Sequence, residues 1–94
     1  MSRIEDQLAE ALAEELSDLL GNPWNGRVHI GAPPQGPVAG ASFAVSIQSG
    51  GSDLRVELPC GLAIGYLADE ESAVDAWKGW TEELALLLGR RAPA

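Results

Sequence analysis

His29, Cys60, Asn22 and Asn25 are the residue types from which a thiol nucleophile, its base and an orienting amide are assembled. Each of the first two occurs once in the chain, and neither sits in a local signature. Cys60 stands between Pro59 and Gly61 in an apolar stretch, where a thiol ordinarily serves as a small buried hydrophobe. His29 lies in a Val-His-Ile run, and the alternation of a strand would turn it toward a polar sheet face. A structural zinc site takes four nitrogen or sulfur ligands, which one histidine and one cysteine do not supply. The paired carboxylates Glu14-Glu15 and Glu70-Glu71 are adjacent on helical segments, so each pair diverges by about 100° and does not converge on one substrate atom. No D-x-D-x-D-G loop and no phosphate-cradling glycine motif is present. The expectation is a chain without catalytic residues, metal or cofactor.

What remains for chemistry is recognition. Trp24, Trp77 and Trp80 make up three of the five aromatic residues. Trp77 and Trp80, three apart, share one side of a helix, and Trp24 in a preceding loop is placed to cap the same surface. In a chain with one Phe, such bulk is expected mostly in the core. Trp80 is the candidate for a partly exposed partner anchor, since Trp is enriched at binding hot spots, and Gly79 beside it would leave a gap for a partner's side chain. The charged candidates are Glu10, Glu14, Asp18, Glu82 and Glu83.

Among the elements that hold these residues, the first opens at Ser2 and Glu5, which have capping-box spacing. Ile4, Leu8, Leu12, Leu16, Leu19 and Leu20 then recur at helical intervals, with Gly21 and Pro23 as the stop. This predicts a helix over about 3–20. Arg27 to Ile30 reads as a short strand, and the proline- and glycine-rich stretch from Gly31 to Gly40 as a loop. Phe43, Val45 and Ile47, then Leu54, Val56 and Leu58, alternate with polar or small residues around a Gly50-Gly51 turn, the pattern of an antiparallel hairpin. The apolar run over 62–67 is open between a fourth strand and a buried connector. Asp69, or Ser72 with Asp75 behind it, is expected to cap a last helix carrying Val74, Trp77, Trp80, Leu84, Leu87 and Leu88, with Gly89, Arg90 and Arg91 as its basic stop. The order implies one α+β domain over 1–94: an N-terminal helix, a three- to four-stranded antiparallel sheet and a C-terminal helix, both helices on one sheet face.

Fourteen acidic against six basic residues give 94 residues a net charge of −8. Residues 2–20 hold six acids against Arg3, and residues 69–91 hold six acids against Lys78, Arg90 and Arg91. The sheet segment balances Asp53 and Glu57 with Arg27 and Arg55. The whole excess therefore belongs to the two helices, −5 and −3, whose outer faces would form a negative plate. That sign argues against direct contact with nucleic acid or with an anionic membrane surface. No apolar run approaches the ~20 residues of a spanning helix, and the start lacks the basic and apolar regions of a signal peptide. With one cysteine, no internal disulfide forms, and the cytoplasm is the expected compartment.

These readings converge on a small, acidic, intracellular binding protein, monomer or homodimer, whose partner is a larger protein with a basic surface, such as one that binds nucleic acid. Anti-CRISPR and toxin-immunity inhibitors offer an analogy of class, resting on size and charge alone. The other expectation is a phage or bacterial assembly subunit, or a chaperone-like adaptor, that oligomerises through a sheet edge and the Trp surface.

Overall fold

In the computed structural model, which describes residues 3–34, 36 and 40–91, the first helix, α1, spans Ile4–Leu20. Its buried stripe is Leu8, Leu12, Ala13 and Leu16, as the three-to-four spacing requires. Arg3 occupies the N-cap position without a side-chain cap; Ser2 of the expected capping box lies outside the described residues. Gly21 ends the helix in the left-handed region, φ 79°, where its N–H donates to the Ser17 carbonyl at 2.9 Å. Ser17 also fastens the exit loop, because its hydroxyl accepts the Trp24 N–H at 2.9 Å while donating to the Ala13 carbonyl at 2.7 Å.

Three strands follow: β1, Val28–Gly31; β2, Ser42–Ser49; and β3, Ser52–Pro59. They form an antiparallel sheet in the order β1-β2-β3. The first strand starts one residue later than its sequence pattern predicts. The Gly50-Gly51 turn places both central residues at positive φ, 57° and 89°, as a two-residue hairpin demands and a side chain resists. In this register Val28, Ile47 and Leu54 form one row, Ile30, Val45 and Val56 the next, and Phe43 and Leu58 a third. These residues share the inner face. His29, Ser46 and Arg55 make a row on the other face, with Gln48, Asp53 and Glu57 beside them.

The segment open between strand and connector is neither: Cys60–Leu67 forms a helix, α2. Cys60, Ala63 and Leu67 carry its inward positions at spacings of three and four, and the first two are fully buried. A built Cβ on Gly65 would come within 2.6 Å of the Ala73 Cβ, so the missing side chain is what lets α2 and the last helix approach. The turn between them is a Schellman motif: Glu70 N–H donates to the Gly65 carbonyl and Asp69 N–H to the Tyr66 carbonyl, each at 3.0 Å. Asp69 takes the left-handed position at φ 61°. It therefore ends α2 instead of capping the next helix.

The last helix, α3, spans Glu71–Arg91. The Glu70 carbonyl accepts its first N–H, from Val74 at 2.8 Å, so neither Asp69 nor Ser72 is the N-cap. Gly89 does not stop it, because it stays out of the left-handed region and the helix runs on through Arg91. The three helices form one layer on the inner side of the sheet, α1 over β1, α2 beside β3, and α3 packed on α1 and α2. The core joins Leu8, Leu12 and Leu16 to Phe43, Val45, Ile47 and Leu58, and to Trp77, Leu84 and Leu88. Among the described residues, no helix is long and apolar enough to cross a membrane.

Candidate binding surface on the helical layer

The catalytic types found in the sequence are dispersed. Cys60 is fully buried at the start of α2, whereas His29 is exposed on the outer sheet face, with the sheet between them. Asn22 and Asn25 are exposed in the loop before β1. Among the described residues no group of three His, Cys, Asp or Glu side chains is arranged to hold a metal ion.

The three tryptophans separate by role. Trp77 is 1% exposed and stacks on Tyr66 with ring centroids 4.1 Å apart and planes 14° from parallel. Trp80 tilts against Trp77 at 5.7 Å and stays half-buried. Trp24 does not cap this cluster. It is buried at the other end of the layer, near Leu20, Ser49 and Leu88, with the Arg27 guanidinium 5.5 Å from its ring centroid. Among the described residues, the indole N–H groups of Trp24 and Trp77 are buried with no hydrogen-bond partner, a cost accepted for the apolar bulk of the rings. Gly79 beside Trp80 is exposed, and a side chain there would meet no described atom beyond its own stretch of helix within 4 Å.

Glu10, Glu14 and Asp18 are all exposed and recur every fourth residue along α1, opposite its buried stripe. Glu82 and Glu83 are exposed on α3. The two helices run in the same direction. Glu15 shares a depression with Val74, Trp77 and Lys78, and further along Leu19 and Leu20 share a shallow groove with Glu82, Ala85 and Leu86. This groove escaped the sequence reading. Its floor is apolar, and Leu86 at 63% and Leu19 at 44% exposure make it one of the more accessible apolar parts of the molecule. The available signal was local: helical spacing puts Leu86 on the side of α3 opposite Leu84 and Leu88, where an apolar residue has no core to join.

The acidic side chains also act on one another's neighbourhood. The Tyr66 phenol is held above its ordinary value of 10.0, first by burial and then by the carboxylates of Glu15, Glu14 and Asp69. Negative potential from α1 and from the α2–α3 turn therefore meets at one place on the surface. Compared with protein-family models, curated proteins and solved structures, the chain returns no match.

Proposed function

We propose that this chain is a small, non-enzymatic binding protein that covers a basic surface of a larger protein with its helical layer, as an inhibitor of the anti-CRISPR or immunity type does. The observation that carries this reading is the unbroken line of exposed Glu10, Glu14 and Asp18. At a rise of 1.5 Å per residue these anions stand about 6 Å apart along α1, a string of charges that a Lys- or Arg-lined cleft takes up in place of phosphates. Glu82 and Glu83 extend the negative field onto α3, while Trp80 and the leucine groove supply apolar contact that charge alone does not. Long-range attraction sets the rate of encounter, and desolvated apolar contact sets the residence time. A cytoplasmic setting belongs to the same reading and suits the free thiol of Cys60.

The test is affinity capture from the source cell with the wild-type chain and with the triple variant Glu10→Lys, Glu14→Lys, Asp18→Lys. The expected partner binds nucleic acid, is displaced by it, is released as salt rises, and is not retained by the triple variant. A partner held equally by the triple variant and at high salt would sink the reading.

A further inference from the structure

We propose that the free edge of β3 is a homodimerisation surface, on which two copies of this chain pair β3 with β3 antiparallel about a two-fold axis and join their sheets into one of six strands. The hydrogen-bond ladder identifies the groups available. Cys60 N–H donates to the Ala41 carbonyl, and by the alternation of an antiparallel pair Leu58, Val56 and Leu54 are then the residues bonded to β2. The N–H and C=O groups of Asp53, Arg55 and Glu57 therefore point away from β2, and β3 is an outer strand of the sheet formed by the described residues. An eight-residue edge of this kind is a template for another strand.

Two further observations select a second copy as the occupant. The side chains of Asp53, Arg55 and Glu57 alternate in sign along the outer face, so an antiparallel second copy offset by two residues sets opposite charges across from one another. With the two-fold axis at Val56, each Arg55 faces the other copy's Glu57; with the axis at Leu54, each Arg55 faces the other copy's Asp53. Registers centred on a charged residue, Asp53, Arg55 or Glu57, set like charges opposite, and cross-strand repulsion rejects them. On the inner face, Leu54 and Val56 remain half-buried, although their β2 neighbours Ile47 and Val45 are fully buried. With the axis at Val56, pairing would set the second copy's Val56 beside Val56 and its Leu58 beside Leu54 and add to their apolar cover.

The charge distribution permits the approach. The sheet segment is neutral, and the most acidic helix, α1, lies over β1 at the opposite edge, so the two −5 helices are kept as far apart as the fold allows. Antiparallel pairing also leaves both helical layers on the same side of the joined sheet, because the inner faces continue across the axis.

Sedimentation or light scattering from micromolar to millimolar chain, with hydrogen exchange of the β3 amides, tests this directly. The expected result is a monomer–dimer equilibrium that strengthens with added salt, which screens the repulsion between two chains of −8, and protection of the Asp53, Arg55 and Glu57 amides that rises with dimer. Arg55→Glu makes the three edge positions all acidic, and Asp53→Arg with Glu57→Arg makes them all basic. Each alone is expected to weaken pairing about tenfold or more, and an equimolar mixture is expected to form the heterodimer. Near-UV circular dichroism of the tryptophans verifies that each variant is folded. A wild type that stays monomeric at millimolar concentration, a dimer indifferent to Arg55→Glu, or complementary variants that fail to associate would each overturn the proposal. The triple α1 variant is expected to dimerise at least as well as wild type, so failure of pairing and failure of partner binding are read separately.

Discussion

Gly65 and Asp69, four residues apart, carry opposite local constraints. Gly65 has no side chain where one would strike Ala73, while Asp69 keeps a side chain at a backbone angle that glycine would suit better. Gly65→Ala is expected to cost about 1–3 kcal/mol in urea denaturation, because the obstructing atom is a Cβ fixed to a helix and α2 must move off α3. Gly65→Ala combined with Ala73→Gly should recover part of that loss, since the second change removes the atom in the way. At Tyr66 the folded chain holds the phenolic proton more tightly than the unfolded chain does. Its contribution to stability is therefore complete below pH 10 and lost as pH climbs through the higher folded value. Thermal unfolding monitored across alkaline pH should show that decline, and Tyr66→Phe should reduce it.

At the scale of elements, α3 holds two kinds of apolar residue on opposite sides of the helix. Trp77 is enclosed by Tyr66 of α2, Trp80 and the core, whereas Leu86 stands in the groove beside Leu19. Trp77→Ala is expected to destabilise by about 3–5 kcal/mol through the cavity it leaves. Leu86→Ala, at 63% exposure, should stay within about 0.5 kcal/mol on the same denaturation curve. If Leu86→Ala nevertheless weakens partner capture, the groove is a contact surface; if capture is unchanged, the acids act without it. The element that sequence periodicity failed to assign is α2. Leu62, Ile64 and Tyr66 alternate like a strand while Cys60, Ala63 and Leu67 follow helical spacing, and in eight apolar residues with two glycines neither pattern excludes the other. Packing decided between them, because only a helix turns Gly65 onto Ala73 and Tyr66 onto Trp77.

For the whole molecule, charge and apolar surface are divided between different faces. The helical layer carries the excess of acid, the sheet is neutral, and salt therefore acts on the two proposed interactions with opposite signs. Binding of a basic partner weakens as salt rises, and pairing of two −8 chains strengthens. A single salt titration with both readouts places each interaction on its own surface.

Local pattern specifies that both long helices exist, where their acid lies, that the hairpin turns at Gly50-Gly51, and which strand residues face inward, since each follows from a period or a turn requirement within one stretch of chain. Glu10, Glu14, Asp18, Glu82 and Glu83 were legible as exposed positions for the same reason, because the stripe opposite a buried one is set by helix geometry. Tertiary structure alone decided that α2 is a helix, that Trp24 and Trp77 are enclosed while Trp80 is only partly so, and that Leu19 meets Leu86 across a groove. Those outcomes depend on which element lies against which, and they join residues tens of positions apart whose spacing in the chain has no bearing on their distance in space.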